Sequence, residues 1–92
     1  MNRAERITSQ LRNNLHAAAV ELIDDSHLHA GHAGARDGRG HYRVRVVSED
    51  FEGLRTVQRH QLVYRSLGEL MQTDIHALGI IALTPAEAGP RL

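Results

Sequence analysis

The chain has 92 residues, 41% of them apolar and 24% charged, with 11 basic residues against 11 acidic ones, so it makes one small domain of ordinary globular composition. Cysteine is absent, which excludes disulfides, a thiolate nucleophile and any thiolate metal site built from this chain alone. Zero net charge and only three aromatic residues, Tyr42, Phe51 and Tyr64, mean that nucleic-acid binding would need a local basic patch rather than a global field or a row of stacking platforms.

Residues 4–15 open the chain with Ile7, Leu11 and Leu15 at spacing four, the pattern of an amphipathic helix. Ala17, Ala18 and Ala19 are compatible with an extension of that helix. The run Val20-Glu21-Leu22-Ile23-Asp24 alternates and reads as a short strand. Residues 26–41 carry four glycines and little apolar content, and read as a loop. A loop of that length is more often functional than a short one. Tyr42-Arg43-Val44-Arg45-Val46-Val47-Ser48 alternates cleanly and is the clearest strand, with Arg43 and Arg45 on its wet face.

Glu49 to Gly53 turn the chain into a helical region in which Leu54, Val57, Gln61 and Tyr64 lie along one stripe, with Leu62 and Val63 beside it. Ser66, with Glu69 three residues on, reads as the cap of a further short helix through Leu67, Leu70 and Met71. Residues 75–84 are apolar and β-branched and read as an interior strand that Pro85 closes. Residues 1–3 and 86–92 read as frayed ends of a single domain. The order is α-β-β-α-α-β. It predicts an antiparallel pair, a last strand returning parallel after a helical crossover, and helices on one face of a three-stranded sheet.

The residues offer little to an enzyme. None of Ser9, Ser26, Ser48 and Ser66 lies in a nucleophile elbow, and Asp24 and Asp25 are adjacent on a strand and point apart. There is neither a phosphate loop nor a dinucleotide fingerprint. No apolar run approaches the roughly 18 residues of a membrane span, and the first residues have no signal-peptide core, so cytoplasm is the expected location.

Histidine is the outlying residue, with 7 in the chain: His16, His27, His29, His32, His41, His60 and His76. His27-Leu28-His29-Ala30-Gly31-His32 has spacing that would let two or three imidazoles meet one ion. Taken singly, His27, His32 and His41 read as loop histidines that only titrate. His60 beside Arg59 reads as part of a polar helix face. His76 opens the last strand and, by the two-residue period, shares a side with Leu78 and Ile80. Gly31-His32-Ala33-Gly34 has the form of a KH-domain Gly-x-x-Gly loop but joins two strands rather than two helices.

From about Glu21 to Thr84 the sequence resembles the BolA family. The resemblance runs through Asp25-Ser26 before the His-rich loop, Tyr42-Arg43-Val44, Phe51-Glu52-Gly53, Arg59-His60-Gln61-Leu62-Val63-Tyr64 and His76-Ala77-Leu78. Gln61 stands where the family often has arginine, and the loop is longer than in many members. The resemblance implies an α+β fold of KH-like, class II type, a non-enzymatic role and a protein partner. That partner is a monothiol glutaredoxin, with which BolA-like proteins hold a bridging 2Fe–2S cluster in iron–sulfur assembly or iron regulation.

The resemblance further implies that His76 is one ligand and a loop histidine the other: His29, with His32 as the alternative. The isolated chain, a monomer or weak homodimer, would then hold no cofactor, and thiolates would come from the partner and glutathione. Mixed His/Cys ligation of such a cluster is chemically sound, and because imidazole must be neutral to bind, the complex should weaken below about pH 6. The competing implication is a DNA-binding transcriptional regulator, with Arg43, Arg45, Arg55, Arg59 and Arg65 on the phosphates.

Overall fold

The computed structural model describes residues 2–25 and 40–89. In chain order the elements are α1 (Arg3–Asn14), β1 (Ala17–Asp24), β2 (Gly40–Ser48), a 3-10 turn (Glu49–Phe51), α2 (Thr56–Leu67), α3 (Leu70–Thr73), β3 (Ile75–Leu83) and α4 (Pro85–Ala88). The sheet order is β1-β2-β3, with β1 antiparallel and β3 parallel to the central β2. The mixed fold and the α-β-β-α-α-β order expected from the sequence are present, with α4 added at the end.

One apolar core holds these elements together. Ile7 and Leu11 from α1, its cap residue Leu15, Val20 from β1, Tyr42, Val44 and Val46 from β2, Phe51 from the 3-10 turn, Val63 and Leu67 from α2, and Ile75 from β3 form a single buried cluster. Alternation along β2 decides which face this is: Val44 and Val46 point in, and Arg43 and Arg45 point out. α1 and α2 therefore cover one face and leave the Arg43–Arg45 face largely open. α4 covers one end of that open face, where Val47 is buried beside Pro85 and Ala88.

Several local expectations need correction. Strand β1 begins at Ala17, because those alanines pair with Ser48 and Val47 through a bulge at Ala18, and this pairing overrides alanine's helical preference. Strand β2 begins at Gly40, so His41 belongs to the strand and not to the loop. Ser66 caps nothing: it continues α2 and its hydroxyl donates to the Leu62 carbonyl at 2.8 Å. The helix ends instead at Gly68, whose φ of 53° suits glycine.

The stripe of α2 is also rotated. Val63, Ser66 and Leu67 are buried, whereas Val57 is 67% exposed and Tyr64 41%. The buried face lies roughly a third of a turn from the predicted one. At the ends, Asn2 caps α1 in a reciprocal box with Glu5, and Thr84 caps α4 in another with Glu87, where fraying was expected.

Candidate functional site

The site is assembled at the end of the sheet where β2 and β3 begin. Gly40 pairs with Ile75 but His41 pairs with Ala77, so His76 is an extra residue in β3. Such a bulge turns the extra side chain away from strict alternation. The expectation that His76 shares the side of Leu78 and Ile80 is therefore corrected. Its ring lies against His41, with centroids 4.9 Å apart and planes tilted by 42°. His41 itself lies between the buried Gly40 and Tyr42, and so faces the open side of the sheet.

The backbone around this pair is held on both sides. The Asp25 N–H donates to the His41 carbonyl at 2.8 Å, and the Gly40 N–H donates to the Asp74 carbonyl at 2.9 Å. Gly40 has a steric role as well, since a Cβ there would come within 2.5 Å of the Tyr42 ring. Asp74, two residues before His76, is buried and accepts from Arg6 Nε at 3.1 Å, Arg6 Nη2 at 2.7 Å and the Thr73 hydroxyl at 2.9 Å. The Arg6 hydrogen bond holds its carboxyl below the usual value of 3.8, and burial opposes that shift. Helix α1 thus anchors the start of the strand that carries His76. Burial, the largest influence on Tyr42, raises its phenol above its ordinary range.

The spacing of the two imidazoles is compatible with two ligands on one ion. With metal–nitrogen bonds of about 2.0–2.1 Å, two rings bound next to each other on one ion put their centroids roughly 5 Å apart. Among the described residues no group of three or more His, Cys, Asp or Glu side chains is placed to hold a metal. This part of the chain therefore offers a pair, not a complete coordination set. His27, His29 and His32, and with them the expected loop ligand, lie outside the described residues. His41 is the residue that sequence reasoning passed over. Its signal was the alternation of β2, which runs back through His41 to Gly40.

The five arginines considered for DNA do not form one surface. Arg43 binds Asp25 through Nε at 2.6 Å and Nη2 at 3.3 Å, and Arg45 lies 3.7 Å from Glu21, both on the open sheet face. Arg55, at the N-cap of α2, and Arg65 within it are exposed, and α2 covers the other face. Arg59, with 14% of its side chain exposed, donates to the Leu54 and Ala82 carbonyls at 2.9 and 3.0 Å and to Glu87 at 2.5 and 3.2 Å. It is a structural clamp, and this hydrogen-bonded pairing holds the Glu87 carboxyl down at about 2.

Comparison with known proteins accords with this architecture. The model of the BolA-like protein family matches residues 11–87. The chain belongs to the BolA-like family. It is 42% identical over 90 residues to "Protein BOLA1, chloroplastic" of Arabidopsis thaliana, covering 95% of this chain and 56% of that protein. It is 41% identical over 91 residues to the "SufE-like protein 1, chloroplastic/mitochondrial" of the same plant, covering 94% of this chain and 24% of the relative. The chain thus spans about half, or less, of the length of these relatives. A relative in Haemophilus influenzae named "DNA-binding transcriptional regulator BolA" is 40% identical over 72 residues, 78% of this chain and 65% of its own.

Among solved structures, BolA1 of A. thaliana superposes with a TM-score of 0.80 at 38% identity, over 98% of this chain and 99% of that one. The BolA domain of SufE1 from the same plant gives 0.81 at 38% identity, over 95% and 96%.

These relatives overturn the cytoplasmic expectation, since proteins named chloroplastic and chloroplastic/mitochondrial carry this same domain. Address signals are read separately from the folded domain, so the domain's composition does not decide its compartment. No helix among the described residues is long and apolar enough to cross a membrane.

Proposed function

We propose that this chain is a non-enzymatic partner protein in iron–sulfur chemistry, lending imidazole ligands to a 2Fe–2S cluster shared with a monothiol glutaredoxin and its glutathione. The observation that carries the reading is the His41–His76 ring pair at the end of the sheet, in a chain without cysteine. Imidazoles without thiolates suit one half of a mixed ligand set, as in centres where histidine replaces cysteine on one iron. When bound, the cluster would supply one-electron chemistry; this chain's residues would hold and orient it. The relative in which this domain is part of a SufE-like protein supports the iron–sulfur context.

His76 is common to both ways of completing the chain's share. The candidates for the second imidazole are His41, whose ring lies against His76, and His29, from the family resemblance, with His32 as the alternative to His29. The test is anaerobic reconstitution with a monothiol glutaredoxin, glutathione, iron and sulfide, read by visible absorption and circular dichroism. His76→Ala should abolish or shift the heterocomplex spectrum. His41→Ala and His29→Ala, made singly, should assign the second ligand. A spectrum unchanged by all three substitutions would sink the reading.

The alternative, a DNA-binding regulator, is supported by the name of the H. influenzae relative. The arginine arrangement weighs against it, since three of the five face carboxylates and the five are split between two faces. Binding that falls steeply with salt, as phosphate contacts require, would favour it; a shallow or absent response is expected.

A further inference from the structure

The open sheet face leads directly to the imidazole pair. Strand register aligns Glu21, Arg45 and Ile81 in one row, Ile23, Arg43 and Gly79 in the next, and His41 with Ala77 in the third, beside the extra residue His76. α4 closes the far end of this face over Val47. Between α4 and the histidines lies a depression of about 350 Å³ walled by Ile23 and Ile81, with Arg43, Arg45 and Gly79 in its lining. Ile23 is 50% exposed and Ile81 56%. Gly79, without a side chain, is part of the depression's floor beside Ile81.

We infer that this open face is the docking surface for the thiolate-bearing partner of the proposed cluster complex; the inference rests on that reading. Three observations support it. The first is continuity. His41 lies on this face, with the His76 ring against it, so a protein that completes the coordination of a metal held there must lie against its edge.

The second is size. Among the described residues, the uncovered rows span three strands and about four residues along each, roughly 14 by 13 Å, or a few hundred Å² at most. A stable association of two proteins covers about 800 Å² on each partner. Two copies of this chain would not hold together through so small a patch. A partner already joined through shared metal ligands would, because its second contact forms at high effective concentration.

The third is hydrogen-bonding complementarity. Arg45 Nη1 is buried and has no hydrogen-bond acceptor among the described residues, its nearest carboxylate oxygen being on Glu21 at 3.7 Å. With only this long ion pair to Glu21, the donor lacks a hydrogen bond, and a small turn of the guanidinium onto an incoming acceptor would supply one. Arg43 keeps 62% of its side chain exposed while bound to Asp25, and is open to a second acceptor. The partner surface that fits carries one or two apolar side chains, with a carboxylate or free carbonyl beside its thiolate. The rival surface, the outward stripe of Val57 and Tyr64 on α2, lies on the other side of the sheet from the imidazoles.

The test measures the affinity of this chain for a monothiol glutaredoxin in the reconstituted, glutathione-containing cluster complex, by sedimentation under anaerobic conditions. Ile23→Glu and Ile81→Glu sit at exposed positions and should leave the isolated chain folded, as far-UV circular dichroism will verify. Each should weaken the heterocomplex at least tenfold, while the visible spectrum at saturation stays unchanged because the ligands are intact. Val57→Glu should bind within twofold of the unsubstituted chain. The inference is overturned if both isoleucine variants bind within twofold, or if Val57→Glu is the one that weakens the complex. It is equally overturned if Ile81→Glu abolishes only self-association of the isolated chain, which would make a second copy the occupant. Failure of the unsubstituted chain to form any cluster complex would instead strike the proposed function, and this inference with it.

Discussion

Asp74 shows how much a single side chain does here. It joins α1 to the start of β3 through Arg6, and its carbonyl receives the first N–H of β2. Arg6 is about half exposed, so solvent screening moderates the ion pair, and Asp74→Asn should cost about 1–2 kcal/mol in urea denaturation at neutral pH. The pH dependence has a definite sign. A carboxyl held below its ordinary value of 3.8 contributes stability above that value, and this stability is lost as pH falls through the lowered folded value. The unsubstituted chain should therefore lose stability in that acid range more steeply than Asp74→Asn.

His16 and Asp50 behave differently, because both partners titrate. The imidazole Nδ1 lies 2.9 Å from Asp50 Oδ1, and the His16 backbone N–H donates to Asp50 Oδ2 at 3.1 Å. This hydrogen bond, and then the carboxylate's charge, raise the imidazole above 6.5, and the same bond lowers the carboxyl below 3.8. The histidine's contribution is complete below 6.5 and is lost as pH rises through its raised folded value. The aspartate's is present above 3.8 and is lost as pH falls through its lowered one. The pair contributes most between those two values, and melting temperatures of His16→Ala should approach those of the unsubstituted chain above that window. Equal differences at every pH would show that the ring only packs.

Among the elements, α2 gives the sharpest contrast. A reading of apolar spacing selects Val57 and Tyr64 for the core, yet the core takes Val63 and Leu67. Leu67→Ala should cost about 2–5 kcal/mol, as for a fully buried leucine. Val57→Ala should stay within about 0.5 kcal/mol, as for an exposed site. Chemical denaturation of the two variants decides which face carries the packing. The spacing was ambiguous because apolar residues occur on both sides of this helix, and only contact with Val44, Val46 and α1 selects one.

β3 has the same character. Its apolar run was legible, but the bulge that turns His76 towards His41 was not, because a bulge is set by pairing with a neighbouring strand. Gly40 is the element-scale counterpart. Gly40→Ala would force the Tyr42 ring out of its buried position, since the new Cβ would lie 2.5 Å from it. A loss of about 1–3 kcal/mol is expected, with the His41–His76 contact disturbed as well. Proton resonances of the two imidazoles would report that disturbance.

At the scale of the whole molecule, the buried core of the described residues is built from apolar side chains with no histidine among them. The buried cluster runs through α1, α2 and all three strands and includes neither His41 nor His76. A chelator should accordingly leave the melting temperature of the isolated chain unchanged, unlike that of domains whose fold depends on a metal. A fall of several degrees would reveal a metal in the folding core and contradict this account.

The sequence by itself determined the mixed α+β class, the element order, the parallel return of the last strand and membership of the BolA-like family. Those follow from local periodicity and from motifs that keep their identity wherever they sit. It also drew attention to histidine, and to His76 first, as the candidate for the proposed chemistry. Tertiary structure alone decided which histidine lies beside His76, which face of α2 is buried, and that Arg59 clamps the chain's end rather than meeting solvent. The physical reason is common to all three. Each is a contact between residues far apart in the chain, fixed by strand register and by competition for one small core, and no local pattern encodes the outcome of that competition.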